Sequence, residues 1–131
     1  MWLWPFARAR LLRNPAKLGR WGETRARRFL GKLGYKTLAR NWRAEKGELD
    51  LVMADGRAIV FVEVKSRRDE DFTPAVRAVT THKKKMLYRT AKCFLRQYHL
   101  LDRPLRFDVV TVILGRTGSP EIRHYRNAFV P

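Results

Sequence analysis

Three side chains in this sequence have the types and spacing to do chemistry together: Asp50, Glu63 and Lys65. Asp50 falls in the run Gly47-Glu48-Leu49-Asp50-Leu51, and the other two fall in Val60-Phe61-Val62-Glu63-Val64-Lys65. Between the runs stands Asp55-Gly56, a strong signal for a tight hairpin turn. With those two residues as the turn, Val52 would oppose Ile59, Asp50 would oppose Phe61 and Glu48 would oppose Glu63. Side chains alternate along a strand, and opposed residues share a face. One face would then carry Leu49, Leu51, Met53, Val60, Val62 and Val64. The other would gather Glu48, Asp50, Glu63 and Lys65, with Val52 and Phe61 further along.

That sorting suggests a reaction type. Diagonal neighbours such as Asp50 and Glu63 lie about 7–8 Å apart at the backbone, within reach of one shared ion. Two carboxylates so close repel each other and are costly to desolvate. A hard divalent cation offsets both penalties. Oxygen-only ligands suit Mg²⁺, or Mn²⁺ in its place. The plain alternative is a solvated hairpin face whose charges do nothing. Against it, a chain with only 12 acids brings three of them to one place amid 29 Lys and Arg. Glu23, the single acid in the first 44 residues, sits at the edge of a helical apolar stripe. It is a candidate outer ligand, or a group that holds a metal-bound water.

Several elements must position these residues. Gly22, Ala26, Phe29, Leu30 and Leu33 recur at helical spacing and place a helix over residues 18–33, with Gly34 as its stop. Strands are expected at residues 36–43, 48–53 and 58–65. A second helix is expected over residues 82–99, with Leu87, Ala91, Phe94 and Tyr98 facing inward and Thr80 or Thr81 as its cap. Strands at 106–114 and 121–129 complete the order α-β-β-β-α-β-β. That order predicts a single α/β domain with a central mixed sheet flanked by helices. Residues 1–16 read as a basic, aromatic tail ahead of a domain over residues 17–131.

The charge narrows the partner. A net charge of +17 favours a polyanion, because neutralising phosphates releases counterions. Lys83, Lys84, Lys85, Arg89 and Lys92 are the candidate backbone-gripping cations of the second helix. Three of them stand at a helix start, where the dipole disfavours cations and an anionic partner would favour them. No stretch approaches the roughly 20 apolar residues needed to span a bilayer. Trp2, Trp4 and Phe6 beside Arg8, Arg10 and Arg13 could rest on a membrane surface, a weaker alternative. One cysteine, Cys93, cannot form an internal bridge, which suits a reducing cytoplasm. Its place beside Phe94 predicts a packed thiol. His82, His99 and His124 lack metal-ligand spacing. Trp42 reads as a packing residue, and Asp108 as the ion-pair partner of Arg106.

The segments Gly22-Glu23, Asn41-Trp42-Arg43, Gly47-Glu48-Leu49-Asp50-Leu51, Phe61-Val62-Glu63-Val64-Lys65 and Arg106-Phe107-Asp108-Val109-Val110 occur in this order. Asp50, then twelve residues, then Glu63-Val64-Lys65 resembles the PD-(D/E)xK nuclease signature, with Leu49 where that signature has Pro. The ordered set resembles the bacterial YraN-like family, a group read as endonucleases and similar to archaeal Holliday-junction resolvases. Two features depart from that pattern: Lys84, where the family has Gln after Lys83, and the arginine-rich start before Lys17. The resemblance implies a restriction-endonuclease-like fold and Mg²⁺-dependent hydrolysis of phosphodiester bonds in structured nucleic acid, DNA before RNA, junctions or flaps first. By it, Asp50 and Glu63 would be metal ligands, Lys65 would assist the attacking water, and Glu23 would be a helix-borne acid of the site. Resolvase-like relatives often form homodimers. The rival reading keeps the fold and the charge but no catalysis: a DNA- or RNA-binding module.

Overall fold

A computed structural model describes residues 5–68, 80–115 and 118–130. Trp2 and Trp4 lie outside the described residues. The chain is one small α/β domain built on a five-stranded mixed sheet, compatible with a restriction-endonuclease-like fold. Helices α1 (Pro5–Arg13) and α2 (Pro15–Lys32) come first. Strands β1 (Lys36–Ala44), β2 (Gly47–Asp55) and β3 (Ala58–Arg67) follow, then helix α3 (Thr81–Gln97) and strands β4 (Leu105–Ile113) and β5 (Glu121–Tyr125). The sheet order is β1-β2-β3-β4-β5. All neighbours are antiparallel except β3 and β4, which run parallel. A parallel step needs a crossover, and α3 lies on it.

Two apolar layers hold the sheet. On one face Ala26 and Leu30 of α2 pack with Leu51, Met53, Val60, Val62, Val110 and Val112. On the other, Leu87, Ala91, Phe94 and Leu95 of α3 pack with Val52, Phe61, Phe107 and Val109. Both helices begin on a side-chain cap: Asn14 accepts from the Lys17 N–H, and Thr80 accepts from the Lys83 N–H. Trp42 meets Phe94 edge to face at 5.3 Å, a packing contact as expected. Leu33 and Tyr98 lie past the last helical residues and are 58% and 47% exposed, so the apolar stripes are one position shorter than their spacing predicts. Cys93 is exposed, against expectation, because the phase of α3 turns Phe94 inward and its neighbour outward.

The hairpin departs from expectation in register. Its turn is Gly56-Arg57, not Asp55-Gly56, so Ala54 pairs with Ile59, Met53 with Val60 and Leu51 with Val62. Gly56 has φ +59° and occupies the first turn position, where a type II′ turn takes glycine. Asp55 stays in the strand because Arg106 holds its carboxylate at 3.0 Å and Arg126 at 3.6 Å. The pairing slides by two residues, so each side chain keeps its face. Leu49 is the exception. It packs on the α3 side with Val52, three positions away, rather than with Leu51. Alternation slips in β1 as well, where Ala39 and Trp42 both reach the α3 layer and Asn41 adopts φ +49°. Asp50 and Asn41 sit at this irregularity. Breaks of this kind re-aim side chains beside functional sites.

Helix α1 lies against the domain. Arg8 is buried and donates to the carbonyls of Gly115 (2.6 Å) and Gly118 (3.1 Å). On the α2 face, Arg106 donates two hydrogen bonds to Asp108, at 2.8 and 3.0 Å, the ion pair the sequence predicts. The fully buried Asp108 also meets His124 Nε2 at 2.7 Å and accepts from the Asn127 N–H at 2.9 Å. Asn127 adopts φ +50° there, and β5 ends at Tyr125 instead of running on to residue 129.

Candidate functional site

The β2–β3 ladder ends at the Leu51–Val62 pair, and the same register carried one step further sets Asp50 opposite Glu63. Beyond that point the Val64 N–H turns to the Asp50 side chain, donating to Oδ2 at 2.9 Å. Asp50 and Glu63 are therefore direct neighbours rather than diagonal ones, and their carboxyls share a hydrogen bond. Lys65, two residues on, shares their face, with Nζ 3.7 Å from Glu63 Oε1. Lys83 reaches the same oxygen from the first turn of α3, at 3.2 Å. The Glu63 and Lys65 side chains are only 11% and 13% exposed, while Lys83 is 40% exposed and forms the open side of the cluster.

Leu49, Phe61, Leu87, Phe107 and Phe129 line the hollow beneath Asp50 and Glu63. This apolar floor determines the electrostatics. Burial, then the negative charge of Glu63, push the Asp50 carboxyl up to about 7, against the pull of the Val64 N–H. Burial and the neighbouring Lys83 lower the Lys65 ammonium below the usual lysine range. Lys83 moves the other way. Burial opposes its charge, but the contact with Lys65 and the Glu63 carboxylate outweigh it.

Glu23 arrives from α2. Gly22, one residue before it, is buried, and a Cβ there would collide with the Ser66 side chain of β3. Glycine thus lets α2 approach the end of β3 and sets Glu23 near the acid pair. The Asn41 side chain bonds Glu23. Burial raises the Glu23 carboxyl, and the negative charges of Glu48 and Glu63 add to the rise. Glu48, on the same turn-proximal part of β2, is exposed and pairs with Arg43 at 3.8 Å. Asp50, Glu63, Lys65 and Lys83 therefore converge, with Glu23 outside their contacts but near enough for its charge to act on the acid pair.

The other four candidate cations of α3 stand apart from that cluster. Lys84 lies over the Phe129 ring at 5.7 Å, and Lys92 lies over Tyr88 at 5.5 Å. Lys85 and Arg89 are exposed, and Lys85, Arg89 and Lys92 follow at the 0, 4, 7 spacing of one helix stripe. Two participants escaped sequence reasoning. Asn41 gave a faint signal, since asparagine is among the few residues that accept positive φ within a strand. Thr111 gave none. It pairs beside Lys65 on the α3 face, fully buried, and its hydroxyl has no hydrogen-bond partner among the described residues. An orphaned buried hydroxyl beside Lys65 is the kind of group that a bound water or ion satisfies. Among the described residues no three His, Cys, Asp or Glu side chains are clustered as a metal cage. Two carboxylates with retained waters are, however, a common way to hold Mg²⁺.

The profile of the Uncharacterised protein family UPF0102 matches residues 22–112, from the glycine before Glu23 to the last buried valine of β4. The chain belongs to the UPF0102 family. Its relatives include a UPF0102 protein of Mycolicibacterium vanbaalenii, 45% identical over 111 residues, covering 85% of this chain and 92% of that protein. A UPF0102 protein of Pelobacter propionicus is 46% identical, covering 82% of this chain and 79% of the relative. One from Geotalea uraniireducens is 41% identical over 86% of this chain and 88% of its own length. Every residue of the UPF0102 site described above, Glu23, Asn41, Asp50, Glu63, Lys65, Lys83 and Thr111, lies inside the matched span. Helix α1 lies outside it.

Proposed function

We propose that this chain is a metal-dependent endonuclease of PD-(D/E)xK type that hydrolyses phosphodiester bonds in structured nucleic acid, DNA before RNA, with junctions and flaps as the leading substrates. The observation that carries this reading is the meeting of Asp50 and Glu63 on an apolar floor, beside Lys65, in a chain of net charge +17. Two carboxyls pressed together with one of them pushed up to about 7 form a site that a cation would relieve. Asp50 and Glu63 would hold Mg²⁺ or Mn²⁺, which when bound supplies a Lewis acid for the scissile phosphate and a more acidic water.

The chain's own residues supply the rest. Lys65, its ammonium weakened by burial, is suited to orient the attacking water and to receive a hydrogen bond from it when neutral. Lys83 keeps its charge at the open side, where it would stabilise the added negative charge on the phosphate in the transition state. Glu23, steadied by Asn41, would hold a water at the rim. The stripe of Lys85, Arg89 and the half-buried Lys92 would grip phosphates, which positions a duplex without reading its sequence. The single cysteine fits a reducing cytoplasm, and cutting both strands of a junction would call for two copies.

A second reading is a non-catalytic DNA- or RNA-binding module. It is favoured by the absence of a three-ligand cage among the described residues and by the two lysines already paired with Glu63. Cleavage assays on junction, flap, single-stranded and duplex substrates in Mn²⁺ separate the two. The nuclease reading expects cleavage that Asp50→Asn abolishes while binding survives. Binding without cleavage in any divalent ion refutes it in favour of the module.

A further inference from the structure

Between the turn of residues 44–48 and helix α3 lie two adjoining hollows of about 450 and 370 Å³. They share Gly47, His82, Met86 and Thr90 as walls and form one groove. A Cβ on Gly47 would strike the Thr90 hydroxyl, so the turn backbone closes tightly on the helix. That hydroxyl is spent on the Met86 carbonyl at 2.8 Å, which leaves a mostly apolar floor. Cations stand on the rim: Lys46 and Arg89 at one end, Lys83 at the other. Of the two acids there, Glu48 is paired with Arg43 at 3.8 Å, and Glu45 is on the outer lip. The inner end of the groove is Lys83, whose Nζ is 3.2 Å from Glu63. The groove thus ends at a side chain that also contacts the acid pair.

We propose that this groove receives one unpaired nucleotide next to the phosphate addressed at Asp50 and Glu63. The chemistry of the walls selects that occupant. A base has a flat apolar face and is tethered by an anion, which matches an apolar slot with a cationic rim. The Met86 thioether suits an aromatic ring. Hollows of this size fall in the usual range for small-ligand sites, about 300–1,000 Å³. Bases in continuous duplex are stacked inward and cannot enter, whereas splayed bases of loops, flaps and single strands can. The inference rests on the nuclease-type reading of the site and sharpens it: the substrate carries an unpaired nucleotide at the point of attack.

Cys93 provides the test, because it is exposed, lines the same groove and is the chain's only cysteine. Its rate of alkylation by a maleimide is measured on the full chain in EDTA, where no cleavage occurs. Oligonucleotides are added as single strand, gapped duplex or continuous duplex of equal length, with binding followed in parallel by anisotropy. At ten times Kd, a single strand or gapped duplex should slow alkylation about tenfold, as site occupancy requires, and bound continuous duplex less than about twofold. Equal slowing by bound continuous duplex overturns the proposal, and so does bound single strand that leaves Cys93 unprotected. Slowing by an apolar peptide and by no oligonucleotide would assign the groove to protein and also overturn it. Protection by single strand in a chain that never cleaves would uphold the groove while the nuclease reading fails. Failure to bind any oligonucleotide would sink both.

Discussion

Replacing Asp50 by Asn should make the protein more stable, and only above a particular pH. Asp50 has its carboxyl pushed to about 7, from an ordinary value of 3.8, by burial and by Glu63. Between those values the native chain holds a proton that the unfolded chain has lost. Native stability therefore falls as pH rises through the window. The gap is about three pK units, and at about 1.4 kcal/mol per unit it sets a ceiling near 4 kcal/mol above pH 7. Asp50→Asn also removes an attraction to Lys83, so we expect a net gain of about 2–3 kcal/mol at pH 8. Near pH 4 the difference should vanish. Asn keeps an oxygen that can accept from the Val64 N–H, so that contact survives. Urea unfolding in EDTA at pH 4, 6 and 8 measures this directly. With m of about 1–3 kcal/mol/M the midpoint should move by about 0.7–3 M at pH 8. Mn²⁺ at 100 times Kd should restore about 2.7 kcal/mol to the native sequence and nothing to the variant. A variant that loses stability equally at all three pH values would refute the reasoning, since Asp50 would then be a well-solvated carboxylate.

Three other outcomes follow from the same structure. Gly22→Ala should cost about 1–3 kcal/mol through its collision with Ser66, and Gly22→Ala combined with Ser66→Ala should recover most of the loss in thermal unfolding. Asp108 accepts from Arg106 and Asn127 and meets His124. Burial opposes its charge, but these partners hold its carboxyl down at about 2. Its contribution of about 2–3 kcal/mol is present above pH 4 and is lost as pH falls toward 2. Asp108→Asn should therefore cost about 3–5 kcal/mol at pH 7 and flatten the acid limb of the stability curve. Replacing Lys85, Arg89 and Lys92 together with Ala should reduce the slope of log K against log salt by about 2–3 in nucleic-acid binding assays. An unchanged slope would remove that stripe from the interface.

Much of this architecture is legible in the sequence because its signals are local. The 3.6-residue spacing of Gly22, Ala26 and Leu30 marks α2, and that of Leu87, Ala91 and Phe94 marks α3. The alternation through residues 58–65 marks β3. What is not legible depends on distant partners. Gly56 signals a turn but not which side of it Asp55 joins. That choice is made by Arg106, fifty-one residues away. The two-residue slide it imposes brings Asp50 face to face with Glu63 instead of diagonal to it. The same distance hides the aim of Lys83, which its neighbours Lys84 and Lys85 do not share, and the buried hydroxyl of Thr111. Cys93 illustrates the opposite error, where a residue beside a core phenylalanine reads as core although a helix turns successive side chains 100° apart.

The parallel pairing of β3 with β4 also orders events in time. The hairpin that bears Asp50 and Glu63 is complete by residue 67, yet its inner neighbour is supplied by residues 105–113. During synthesis the N-terminal half emerges with that hairpin open along one edge, with its acids hydrated and free of the aromatic floor that Phe107 and Phe129 later supply. The candidate site is therefore completed late, once residues 105–113 have joined the sheet. A nascent or truncated chain would carry positive charge without the finished acid pair on its apolar floor.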